Sequence, residues 1–217
     1  MCTIRRATAA RRLRTSLVYG QDGRHRAPPV LMLSDPDEDI LRLAEEGKRD
    51  HAIRELMRRH GEGVYRYVTI SLRGRGNPDD VHQRVFIEAD RDLRRFARRS
   101  TLRTWLYGIA RHRVLDAIKV DKRGERQEPL DDLEVPEDVP APSDRLDDAR
   151  LQQALLACLD LLGEHVRAAV LLRYQQGFSY EDMGKACKEK PGTLQARVAR
   201  ALPALRECIE RRTKRTV

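Results

Sequence analysis

Leu102, Trp105, Leu106, Ile109, Ala110, Ala117 and Ile118 recur at intervals of three and four, which puts them on one side of an α-helix for four turns. A stripe that long must be buried against another element. Nothing in the chain reads as a strand, because no apolar–polar alternation is sustained between turn residues. The partners are therefore helices too, and the fold class is all-α. After Asp35-Pro36, Ile40, Leu41, Leu43 and Ala44 predict a short helix ending near Gly47. Ile53, Leu56, Met57, Val64, Val68 and Leu72 predict a longer one. Asp79 opens a third helix after the turn Gly74 to Pro78, with Val81, Val85, Phe86 and Leu93 inward, and Ser100 stands where it would cap the fourth.

The second half repeats the pattern. Leu151, Leu155, Leu156, Leu159 and Leu162 mark one helix, and Val166, Val170, Leu171 and Tyr174 the next. Gly177-Phe178 is a turn, and Ser179-Tyr180-Glu181-Asp182 resembles a capping box in which Asp replaces the usual Glu or Gln. The helix it starts carries Tyr180, Met183 and Cys187 inward, and a tight turn at Lys188 to Lys190 leads to Pro191, a residue favoured at helix starts. Leu194, Val198, Ala201, Leu202, Leu205 and Ile209 then recur at helical spacing, although Pro203 should kink this last helix. A short helix, a turn of about three residues and a longer helix make a helix-turn-helix.

Charge divides the chain further. Residues 1–27 carry seven Arg and one Asp, and residues 91–123 carry eleven basic against three acidic side chains, +8. Residues 128–148 carry nine acids and one Arg, −8, together with Pro129, Pro136, Pro140 and Pro142. Such a segment is an acidic spacer. The reading is therefore a basic extension over 1–33, a helical module over 34–120, an acidic linker over 121–148, a second helical module over 149–212 and a tail over 213–217. Met32 is an alternative start. No apolar run approaches the roughly 20 residues of a membrane span, so no membrane insertion is expected. Cys2, Cys158, Cys187 and Cys208 show no metal-type or paired spacing and read as reduced thiols in a cytoplasmic protein.

Catalytic chemistry has little to work with. There is no glycine-rich phosphate loop and no nucleophile elbow, which argues against an enzyme, a cofactor or a small-molecule substrate. Asp79-Asp80 with His82, and His112 with Asp116, are too few to make a metal site, and carboxylates at a helix start complement its dipole. Binding to nucleic acid is better supported. The +8 segment places Arg103, Arg111 and Arg113 off the apolar stripe, beside Phe96, Trp105 and Tyr107. Trp105 itself is in register with the stripe and reads as core. In the last helix, Thr193, Ala196, Arg197 and Arg200 project away from Leu194, Val198 and Leu202, where they can meet phosphates or base edges.

Several runs resemble one family. They are Arg58-Arg59-His60 with Val64-Tyr65-Arg66, Asp79-Asp80-Val81-His82-Gln83-Arg84-Val85-Phe86, and Ser100-Thr101-Leu102-Arg103-Thr104-Trp105-Leu106-Tyr107-Gly108-Ile109-Ala110-Arg111. The second module adds Val170 to Tyr174, Gly177 to Asp182, and Gly192-Thr193-Leu194 leading to Arg197 and Arg200-Ala201-Leu202. Over 34–120 and 149–211 the chain resembles sigma-70 family sigma factors of the small extracytoplasmic-function (ECF) subgroup, in regions 2 and 4, with no room between them for region 3.

The resemblance implies a dissociable subunit of core RNA polymerase that recognises promoter DNA, with an anti-sigma factor as a further partner. Polymerase contact would fall to Asp79, Asp80, Gln83, Arg84 and Phe86. Arg95, Arg98, Arg99, Arg103, Arg111 and Arg113 would contact the minus-ten element, and Thr193, Gln195, Ala196, Arg197 and Arg200 the minus-thirty-five element. The chain departs from the family pattern at Arg84, where an acid is usual, at Asp90, where an aromatic is common, and at Gln195-Ala196, where a Lys-Ser pair is common. Lys188-Glu189-Lys190 replaces the usual Gly-apolar-Ser turn. Two competing readings are a stand-alone helix-turn-helix regulator and an enzyme acting on nucleic acid.

Overall fold

Asn77 shows how local chemistry sets the elements: its side chain accepts the Asp79 N–H at 2.9 Å while Pro78 fills the first helical position. The third helix therefore starts one residue earlier than the sequence suggests. The computed structural model describes residues 35–124 and 143–214, and every regular element among them is helical. The order is α1 (Glu38–Glu45), α2 (Arg49–Leu72), α3 (Pro78–Asp92), α4 (Leu102–Gly124), α5 (Ser143–Leu159), α6 (Glu164–Val170), α7 (Tyr180–Cys187) and α8 (Pro191–Lys214). A 3₁₀ turn, Leu93–Arg95, follows α3, and a π-helical turn, Leu171–Gln175, follows α6. Helices α4 and α5 each run into the expected linker range. The extension over 1–33 and the linker between those helices lie outside the described residues.

Helices α1–α4 form the first module around Ile40, Leu56, Val64, Val85, Leu102 and Leu106, all fully buried. Helices α5–α8 form the second around Leu172, Met183, Leu194 and Val198. The two share one continuous core, in which α4 packs on α7 and α2 on α6. Close approach of α4 and α7 depends on Gly108, where an added Cβ would sit 3.1 Å from the Ala186 carbonyl oxygen.

Some sequence expectations shift. Met57, expected inward, is 45% exposed, because Ala52, Leu56, Val64 and Tyr67 supply the buried face of α2. Leu151 and Leu155 are exposed likewise, and Ala154 and Cys158 face the core instead. Ser100 does not cap α4. Its hydroxyl donates to the Thr101 carbonyl, while Thr101 Oγ1 accepts the Thr104 N–H at 3.1 Å. Ser179 does cap α7, accepting the Asp182 N–H at 3.1 Å. The shorter Asp182 side chain accepts back from the Ser179 hydroxyl at 2.6 Å rather than from its backbone N–H. Pro203 leaves α8 uninterrupted. Cys158 and Cys208 are not free thiols but a disulfide joining α5 to α8, with Cα atoms 5.9 Å apart. Cys187 remains free and buried, which raises its thiol pKa.

Candidate polymerase and nucleic-acid interface

The sequence places Asp79, Asp80, Gln83 and Arg84 on one turn-and-a-half of α3, and all four are solvent-exposed. Asp79 also raises the pKa of the Tyr65 phenol, by its hydrogen bond and its charge. Phe86 does not belong with them. It is 4% exposed and serves the core beside His82, whose ring centroid lies 5.0 Å away, so it presents no surface to a partner.

The arginines of the +8 segment have different surroundings. Arg95 and Arg99 are exposed and border a cleft of about 740 Å³ between the modules, floored by Phe96 and Trp105. The two rings pack on each other with centroids 5.3 Å apart, and Trp105 is partly buried against the core. Arg98 takes a left-handed backbone, φ 52°, and its guanidinium binds Glu38 at 2.9 Å and Glu45 at 2.8 Å. It fastens the loop before α4 to α1. Arg113 is paired with Glu88 at 2.5 Å and Asp116 at 3.4 Å. Acids that are distant in sequence thus offset much of a surplus that looks unpaired along the chain.

Arg103 and Arg111 point into the second module. Arg103 donates to the Gln176 carbonyl at 2.7 Å and lies 4.6 Å from the Phe178 ring centroid. Tyr107, its hydroxyl pKa pushed up to about 12 by burial, donates to Gln176 Oε1 at 2.5 Å. Arg111 donates to Glu189 Oε1 at 3.1 Å, and Glu189 also accepts two hydrogen bonds from Arg197, at 2.6 and 3.2 Å. The hydrogen bonds from Arg197 hold the Glu189 carboxyl below its usual pKa. Arg167 is 1% exposed, donating to the Ser71 carbonyl across the modules and to the Leu162 carbonyl within its own, and burial lowers its pKa to about 10.

On α8, Thr193, Gln195, Ala196 and Arg200 are exposed, and Arg200 Nε donates to the Ala196 carbonyl at 3.2 Å. Arg197 is the exception, held by Glu189. Sequence reasoning missed Gln176, Glu189 and Arg167, and only Glu189 left a trace, as the acid between two lysines in an unusual turn. No helix among the described residues is long and apolar enough to cross a membrane, and no cluster of three or more potential metal ligands forms among them.

Comparison with known proteins gives the same two-part division. The Sigma-70 region 2 family matches residues 56–124, and the Sigma-70, region 4 family matches residues 152–205. The ECF RNA polymerase sigma factor SigC of Mycobacterium tuberculosis is 33% identical over 180 residues, covering 78% of this chain and 90% of that protein. SigE of Mycolicibacterium smegmatis, an ECF RNA polymerase sigma factor, is 33% identical over 165 residues, which span 75% of this chain and 63% of the relative. In fold, the chain is similar to the sigma factor RpoE of Bartonella quintana, crystallised with the anti-sigma factor NepR, at TM-score 0.58 and 22% identity over 72% of this chain and 96% of that one. Two matched regions in this order, and a relative aligned over most of both chains, establish that this chain belongs to the sigma-70 family of RNA polymerase sigma factors, in its ECF subgroup.

Proposed function

We propose that the chain binds core RNA polymerase and directs promoter recognition and transcription initiation in the cytoplasm, with no catalytic activity of its own. The observation that carries this reading is the presence of both sigma regions on one chain. An exposed acidic start to α3 and an exposed polar face on α8 support it. Asp79, Asp80, Gln83 and Arg84 are the proposed polymerase contacts, and the first module would open the minus-ten element with Arg95 and Arg99 foremost. The second module would read the minus-thirty-five element through Thr193, Gln195, Ala196, Arg197 and Arg200. An anti-sigma factor is proposed as a further partner, by analogy with the structurally similar RpoE–NepR complex.

Run-off transcription from a genomic library, with core polymerase and with or without the protein, tests the reading. Transcripts that depend on the protein are expected. A stand-alone regulator would instead bind DNA without co-purifying with core polymerase.

A further inference from the structure

Both ends of the Arg98 guanidinium go to α1 rather than to solvent. Nη1 donates to the Glu38 carboxylate at 2.9 and 3.0 Å, and Nη2 donates to Glu45 at 2.8 Å. Those glutamates are the first and last residues of α1. Their spacing is close to two full turns, which puts both on one face, about 10 Å apart along the axis. A single arginine therefore spans the whole helix. Its own backbone, at φ 52°, is one that L-residues seldom adopt, and such a conformation persists only where the surroundings impose it.

Arg95 and Arg99 flank Arg98, and both are exposed at the border of the cleft. Between them Phe96 packs on Trp105, and the far end of the loop is fixed where Asp35 Oδ2 accepts the Leu102 N–H at 2.6 Å. The ion pairs themselves are open to solvent, with the Arg98, Glu38 and Glu45 side chains 43%, 48% and 65% exposed. Pairs so exposed contribute little to stability, so a role as a staple of the fold explains this arrangement poorly. We infer that Arg98 is a positioning residue for the minus-ten element: tied to Glu38 and Glu45, it holds the loop over residues 96–101 on α1 and so sets where Arg95 and Arg99 meet promoter DNA. Helix α1, which carries no proposed DNA contact, thereby governs opening. The inference rests on the sigma-factor reading and adds to that site a residue acting through its neighbours.

The test uses the full chain with core RNA polymerase, on a promoter that the parent protein transcribes in the run-off assay. Three variants are compared: Arg98→Ala, the pair Glu38→Gln with Glu45→Gln, and all three substitutions together. Opening is read as permanganate reactivity of unpaired thymines. Loop position is read without polymerase, from acrylamide quenching of Trp105, the only tryptophan in the chain. Each variant should melt within about 4 °C of the parent, because the pairs are exposed. Each should open the promoter about fivefold less than the parent, since the loop then holds its productive position only part of the time. The triple variant should lose no more than the others, because one linkage broken from either side is the same loss. Trp105 should quench more readily in all three as Phe96 leaves its place.

The glutamate pair separates positioning from direct contact. An Arg98 that itself met DNA would be released by Glu38→Gln with Glu45→Gln, and two fewer acids would also favour DNA, so opening would rise. Opening at or above the parent level in that pair overturns the inference. So do losses that multiply in the triple variant, or quenching unchanged from the parent. If the parent protein itself supports no transcription with core polymerase, the sigma-factor reading falls and the minus-ten role with it, whereas quenching still decides whether Arg98 holds the loop.

Discussion

Asp35 Oδ2 accepts the backbone N–H of Leu102 at 2.6 Å, so the amino end of α4 is capped by a residue 67 positions earlier in the chain. The same carboxylate accepts the Asp37 N–H at 3.0 Å, and the Asp35 carbonyl accepts from Glu38 at the start of α1. One side chain therefore organises two helix starts. Asp35→Ala should cost about 1–2 kcal/mol, the upper range for a helix cap. Ser100→Ala, at the position where sequence alone places the cap, should stay within about 0.5 kcal/mol. Urea denaturation of the two variants measures both values.

Acid should loosen the first module through the cluster around Arg59. Burial alone would raise the Asp37 pKa, but hydrogen bonds and charge from His60 and Arg59 outweigh it and the net shift is downward. The Arg59 hydrogen bond brings Asp39 to about 2, and hydrogen bonds from Arg58 and Arg59 bring Glu55 to about 2. Carboxylates that ionise more readily folded than unfolded stabilise the fold fully above about pH 4, the unfolded value, and that contribution is lost as pH falls toward 2. Thermal melts should drop across this window. Arg59→Ala should flatten the drop and cost about 2–3 kcal/mol at pH 7, because Asp37, 1% exposed, loses its charged donor at 2.9 Å.

The helices were legible because their periodicity is local, and Leu102 to Ile118 are buried much as their spacing requires. Partners that come from distant residues left no such signal. Arg98 reads as a free cation until α1 brings Glu38 and Glu45 to it, and Arg113 until α3 brings Glu88. Cys158 and Cys208, separated by 50 residues, become neighbours only through the packing of α5 on α8. Phe86 was misplaced for the opposite reason, since the apolar stripe of α3 already accounts for it and the motif drew it to the surface. Sequence reading found the outward faces of α3 and α8, but not the contact that covers Arg111 and Arg197.

Arg84 tests the proposed polymerase surface. It is exposed on α3, four residues after Asp80, in a position where the family usually carries an acid. Arg84→Glu should tighten binding to core polymerase by about tenfold, or about 1.4 kcal/mol, if the partner surface is basic there. Because the side chain is exposed, stability should move by less than about 0.5 kcal/mol. Fluorescence anisotropy of labelled protein titrated with core polymerase gives the affinity, and a measured weakening would mean the facing surface is acidic or that α3 docks by another face.

Arg197 and Arg200 lie one turn apart on α8, outside the buried line of Leu194, Val198 and Ala201, yet their settings differ. Arg197 is nearer the helix start, where base edges are reached in the major groove, whereas Arg200 is exposed and donates to the Ala196 carbonyl of its own helix. Arg197→Ala should cost the holoenzyme about 1–3 kcal/mol on an upstream-element duplex and relax its preference at one base position. Arg200→Ala should weaken all sequences alike and reduce the salt slope by about one, as expected of a phosphate contact. Binding selections on a randomised upstream element separate the two. If neither substitution changes affinity or preference, α8 does not enter the groove by this face.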